Sequence, residues 1–169
     1  MSELDTMPPL PSNANATLTW RVEADTEAFA RALAACGGVN DAFIELRGDL
    51  GAGKTTFVRH LLRALGATGR IKSPTYAVVE PYTLPSGAVW HFDFYRFADP
   101  REWLDAGFRD IFASPGLKLV EWPEKAAGQL PVADWIIQLT AQDDESRRVE
   151  IAAHTARGQA LLAALGLTP

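Results

Sequence analysis

Cysteine is almost missing from this chain: Cys36 is the single one among 169 residues, which excludes an intramolecular disulfide and any four-cysteine metal site. A lone thiol at helical spacing reads as packing, and the scarcity fits a reducing, cytoplasmic compartment. Long apolar runs are missing too. None approaches the 18 residues a membrane helix requires, and no basic stretch followed by an apolar segment opens the chain, so the sequence predicts neither a spanning protein nor an exported one. Positive charge is in short supply: 16 Lys and Arg face 21 Asp and Glu, a net charge of −5. Phosphate backbones need concentrated Lys and Arg, so a broad nucleic-acid surface is disfavoured; a local basic patch stays open, and any RNA role runs more naturally through a partner. Internal repeats are absent.

What is present suits one globular domain. A second domain in 169 residues would leave each half barely able to bury a core, and 47% hydrophobic residues is ordinary for a single one. Pro8, Pro9 and Pro11 lie among small polar residues, which predicts an irregular leader over 1–16 ahead of a domain over 17–169. Leu18, Trp20 and Val22 alternate as a strand does, Asp25 or Thr26 is placed to cap a helix carrying Phe29, Leu33 and Cys36, and Gly37-Gly38 ends it. Ala42–Leu46 reads as a strand, and Phe57, Val58, Leu61, Leu62 and Leu65 form one helical face. Strands follow at Ala77–Tyr82 and Ala88–Phe94 around a Pro85-Ser86-Gly87 turn, then a short helix at Arg101–Ala106. Leu117–Val120, Trp135–Leu139 and Val149–Ala153 are further strands, and a last helix starts near Thr155. The pattern predicts an α/β fold of three layers with a mixed central sheet, because the hairpins exclude a wholly parallel one.

The most specific signal is Gly48-Asp49-Leu50-Gly51-Ala52-Gly53-Lys54-Thr55, which satisfies G-x-x-x-x-G-K-[ST] between a strand and an amphipathic helix. A chance match in a chain of this length is on the order of 1% or less, so the loop reads as a phosphate cradle. Glycines let successive amides converge on phosphate oxygens, the helix adds its amino-terminal field, Lys54 reaches the β- and γ-phosphates from an exposed site, and the Thr55 hydroxyl suits magnesium. A carboxylate beside triphosphate is repulsive, so Asp49 reads better as a loop or helix cap that faces away. Thr56 supports the loop, the phosphate or local packing.

A cradle alone hydrolyses nothing; magnesium and an oriented water require further ligands. Glu121 follows the apolar run Leu117–Val120 as a Walker B carboxylate does, and Asp93 closes another strand. Alternation places Val89, His91, Asp93 and Tyr95 on one strand face and Trp90, Phe92 and Phe94 on the other. His91 has two readings, an orienting contact to Asp93 or satisfied packing. Thr75 lies after the loop helix and reads either as a sensor of the γ-phosphate or as a turn residue. Trp122 shields the site or packs locally.

With Lys72-Ser73-Pro74-Thr75-Tyr76, His91-Phe92-Asp93-Phe94-Tyr95-Arg96 and Glu121-Trp122-Pro123-Glu124 following the loop in this order, residues 24–155 closely resemble the TsaE (YjeE) family. Those proteins are P-loop ATPases of bacterial tRNA threonylcarbamoyladenosine biosynthesis, acting with the TsaD–TsaB pair that transfers the threonylcarbamoyl group. The resemblance implies ATP or ADP with Mg2+ as ligands, tRNA reached only through that pair, and an ATPase weak without its partners. It carries a metal role onto Thr55 and Glu121 and a catalytic role onto Asp93 beside Lys54. It also implies a nucleotide-responsive role for Ser73 and Thr75, an adenine-side position for Thr26, and a place for Glu124 in the nucleotide-binding set. Phe94 stands where Leu is familiar in the family. No N-K-x-D guanine-reading motif occurs, which agrees with ATP. Two other functions compete: a small-molecule kinase, which needs an acceptor pocket and an arginine-rich lid for which Arg147-Arg148 is too short a signal, and a nucleotide-dependent assembly module with slight turnover.

Overall fold

The structure, a computed structural model, describes residues 15–71, 74, 78–99, 101 and 107–167. Among the described residues, seven strands and four α-helices follow one another as β1 (Asn15–Trp20), α1 (Glu23–Ala34), β2 (Phe43–Arg47), α2 (Lys54–Ala64), β3 (Val79–Leu84), β4 (Gly87–Asp93), α3 (Phe108–Ala113), β5 (Leu117–Glu121), β6 (Trp135–Ala141), β7 (Arg147–Ala153) and α4 (Ala156–Ala164). The strands form one sheet in the order β1-β7-β6-β2-β5-β4-β3. The four central strands, β6, β2, β5 and β4, are parallel, and antiparallel neighbours close both sides. The mixed α/β sheet expected from the hairpin signals is therefore what forms.

The parallel centre needs cover on both faces, and the chain supplies two unlike cores. On one face α1, α2 and α4 bring Leu33, Phe57, Leu61, Leu62 and Leu161 against Ile44, Leu46, Leu119 and Ile137. On the other, Phe43, Phe92, Phe94, Phe97 and Phe108 cluster, with Phe92 edge-on to Phe108 at 5.3 Å. Each such side chain taken fully out of water contributes roughly 1.5–3 kcal/mol. The aromatic core explains why α3 exists although its six residues give too little periodicity to announce it: Phe108 anchors it, and Gly107 begins it in the left-handed region with φ 72°. A polar clamp joins the start of β6 to α4. Asp134 accepts hydrogen bonds from Phe43 N at 2.7 Å and from Thr155 Oγ1 at 2.5 Å, while the same Thr155 hydroxyl accepts from Gly158 N and caps α4.

Several boundaries differ from those read along the chain. Strand β1 already includes Asn15 and Ala16, since these pair with Ala152 and Ile151 of β7. Helix α1 starts at Glu23, earlier than a cap at Asp25 or Thr26 implies. Asp25 instead sits inside the first turn, its carboxylate accepting from the amides of Arg21 and Val22 and so fixing the entry of the chain from within the helix. Strand β3 runs on to Leu84, because pairing with β4 continues to Gly87. Most of the helix expected over 101–106, and the leader up to residue 14, lie outside the described residues.

Candidate functional site

The carboxyl ends of β2, β4 and β5 meet at one edge of the sheet, where open α/β sheets form their ligand crevice. The loop leaving β2 turns sharply. Gly48 has φ 147°, and a Cβ there would lie 2.5 Å from the backbone oxygen of Leu139, so no larger residue fits. Gly53 has φ 107° and directly precedes α2, which aims the first amides of that helix into the crevice.

Lys54 corrects one expectation. Its ammonium is not on an exposed surface; the residue is only 4% exposed. Nζ donates to the carbonyl oxygens of Gly48 and Asp49, the latter at 3.0 Å, and lies 4.2 Å from the centre of the Trp122 ring. Burial lowers its pKa, and the carboxylates of Glu121, Glu124, Asp93 and Asp49 oppose that shift. Trp122 serves both readings offered for it. Its ring packs against Tyr95 with centres 5.0 Å apart and also lines the cavity beside Lys54; its backbone is in the left-handed region at φ 57°, where the one-turn helix Pro123–Ala126 begins.

Opposite the lysine, Thr55 Oγ1 donates to Glu121 Oε1 at 2.8 Å, and Glu121 is 2% exposed. These are hard oxygen donors. Magnesium takes oxygens of this kind, and the 2.8 Å between them is the length of an ordinary O–H···O hydrogen bond. The second Glu121 oxygen, Oε2, lies 2.5 Å from His91 Nε2. His91 therefore reaches Glu121 and not Asp93, because β5 lies beside β4 and presents Glu121 over the same strand face. Asp93 stands in register with Glu121 on the adjoining parallel strand and accepts from Tyr95 N at 2.9 Å. Its half-burial raises its pKa; the Tyr95 amide opposes this, Glu121 adds to it, and His91 and Lys54 oppose it.

Lys54, Thr55, Thr56, Leu50, Gly51, Gly53, Asp93, Glu121 and Trp122 line one cavity of about 250 Å³. An adjoining cavity of about 190 Å³ lies between Trp20, Val22, Thr26, Ala52 and Glu145, and Gly53, Thr56 and Arg147 form a wall common to both. Thr26 lies beside the loop in this second cavity. Glu124 is near enough to act on the charge of Lys54, yet it lines neither cavity, and its Oε2 is buried without a hydrogen-bond partner among the described residues. Ser73 and Thr75 lie outside the described residues. Arg147 is the residue that sequence reasoning missed as a site member. It sits at the start of β7, donates to the carbonyl oxygen of Gly51 at 3.4 Å, and reaches the crevice only because β7 lies beside β6. Separated from Gly51 by 96 positions, it has no local spacing to betray it, and the Arg147-Arg148 pair is the sole signal in the sequence.

A family model described as "Threonylcarbamoyl adenosine biosynthesis protein TsaE" matches residues 20–149, which take in every residue lining these two cavities. The chain belongs to the TsaE family. It is 44% identical over 121 residues to the tRNA threonylcarbamoyladenosine biosynthesis protein TsaE of Haemophilus influenzae, covering 72% of this chain and 76% of that one. It is 35% identical over 138 residues to the protein of the same name from Bacillus subtilis, covering 80% of this chain and 85% of the relative. A crystal structure of Bacillus subtilis YdiB superposes with a TM-score of 0.74 at 28% identity, over 90% of this chain and 94% of that one. The TsaE family is of the P-loop ATPase type, in keeping with the loop and crevice described above. No helix among the described residues is long and apolar enough to cross a membrane.

Proposed function

We propose that this TsaE-family chain binds ATP with magnesium and hydrolyses it as the ATPase of tRNA threonylcarbamoyladenosine biosynthesis, in the cytoplasm and together with a TsaD–TsaB pair. The observation that carries the reading is the Thr55–Glu121 oxygen pair at 2.8 Å, in one cavity with Lys54 and Asp93 at the mouth of a glycine loop. Amides of the loop and the start of α2 bind phosphate oxygens, and Lys54 exchanges its carbonyl partners for the β- and γ-phosphates. Thr55 and Glu121 would hold magnesium, whose charge would offset the negative charge on the phosphate oxygens as ADP leaves. Asp93 orients the attacking water or takes its proton, and burial raises its pKa, the direction that suits a base. Thr26 and Arg147 border the nucleoside side. The net charge of −5 supports contact with tRNA through the partner pair and not directly.

A second reading, the nucleotide-dependent assembly module, is favoured by one feature. Val22, Leu50 and Tyr95, exposed by 62%, 68% and 44%, all border the two cavities, as suits a face that a partner covers. Phosphate release from Mg-ATP, measured for the chain alone and with TsaD–TsaB, separates the readings. Release without an organic acceptor, rising on addition of the pair, is expected. Binding to the pair with no release in any mixture would leave the module, and ADP formed only on addition of a small hydroxyl acceptor, with the phosphoryl group on that acceptor and no free phosphate, would point to a kinase.

A further inference from the structure

His91 is 1% exposed, lies within the sheet, lines neither cavity, and reaches the site by its contact with Glu121. An ionised Glu121 offers no proton, so the 2.5 Å contact requires the hydrogen to be on His91 Nε2; the other ring nitrogen, Nδ1, is buried without a partner among the described residues. Glu121 is thus held at both oxygens, by Thr55 at Oε1 and by His91 at Oε2. We infer that His91 is a positioning residue that fixes the rotation of the Glu121 carboxylate and so decides which oxygen faces Thr55. This inference rests on the proposal that Thr55 and Glu121 hold the divalent ion.

The physical need for such a residue follows from the surroundings. A glutamate side chain turns about several single bonds, and Lys54 lies close enough for its charge and that of Glu121 to act on each other. Without a donor at Oε2, a buried carboxylate oxygen is left unsatisfied, and rotation toward a cation that already acts on it, such as Lys54, becomes favourable. That rotation separates Oε1 from Thr55 and dismantles the oxygen pair. His91 prevents it from a neighbouring strand two ladder positions before Asp93, where the parallel register holds β4 and β5 together. Groups behind a metal-binding side chain typically change metal affinity by 10–100-fold.

The test compares variants of the full chain by Mn2+ binding to the ADP complex, read by electron paramagnetic resonance, and by ADP affinity in EDTA, read by calorimetry. His91→Phe keeps the ring and removes the donor; His91→Gln places an amide nitrogen near the position of Nε2; His91→Asn stops short of it. The expected result is Mn2+ affinity about 10-fold weaker in His91→Phe and His91→Asn, largely restored in His91→Gln, with ADP affinity in EDTA unchanged throughout. Wild-type Mn2+ affinity in His91→Phe, while Glu121→Gln loses it, overturns the role of His91 and leaves the metal site standing. Unchanged Mn2+ affinity in Glu121→Gln overturns the metal reading and this inference with it. Should His91→Phe fail to fold in a thermal melt, the Gln and Asn variants decide: equal Mn2+ affinities for the two overturn the inference.

Discussion

Replacing Asp93 by Asn has two effects of opposite sign, and both follow from its position. The amide keeps the size and the oxygen that accepts from Tyr95 N, so local backbone geometry survives. What disappears is a charge in register with Glu121 on the adjoining strand. Two carboxylates about 5 Å apart repel by roughly 1–3 kcal/mol between the dielectric of water and that of a protein surface. Asp93 is half-exposed, and Lys54 and His91 offset part of the repulsion, so after screening the gain on its removal is about 1 kcal/mol or less. For a domain of this size that is a rise in Tm of at most about 2–4 °C for the nucleotide-free protein in EDTA. The sign with pH is definite. The folded pKa lies above the ordinary 3.8, so the folded state binds the proton more tightly; wild-type stability falls as pH rises from 3.8 to the raised value and stays lowered above it. The Tm advantage of Asp93→Asn is therefore present at neutral pH and vanishes in acid. Single-turnover hydrolysis with the partner pair should meanwhile slow by about 10²–10⁴-fold, the usual worth of a positioned acid or base, with ATP affinity retained. An undiminished single-turnover rate refutes the chemical role, and a lower Tm at neutral pH refutes the electrostatic reasoning.

Lys54→Ala removes a charge-assisted contact worth about 1.5–3 kcal/mol, so calorimetry should find ATP affinity at least about 10-fold weaker in a protein whose circular dichroism is unchanged; equal affinity would reject the phosphate role. Arg147→Ala should weaken ADP binding by about 10-fold without altering the Mg2+ titration of turnover, since its guanidinium walls the cavities beside Gly53 and is no partner of the oxygen pair. Gly158→Ala tests the fold: the added Cβ would overlap the Asp134 backbone oxygen, and chemical denaturation should show a loss of about 3 kcal/mol, with a wild-type curve contradicting the packing of α4.

Features that act over a few residues were legible along the chain. Gly48–Thr55 announced a phosphate loop because its glycines, lysine and threonine work at fixed backbone offsets, and the alternation in β4 put His91 and Asp93 on the face opposite Phe92 because strand side chains alternate. The resemblance of the ordered motifs carried the family. Short or irregular pieces escaped: α3 exists through Phe108 packing in an aromatic core, and α1 begins early because Asp25 satisfies amides from inside the helix. Which side chains meet depended on how distant strands pack. Glu121 finds Thr55 across 66 positions and His91 across 30, and Arg147 finds Gly51 across 96. Local periodicity says which face a residue occupies; strand order and register decide what stands opposite it, and those are set by how the two cores close on the sheet.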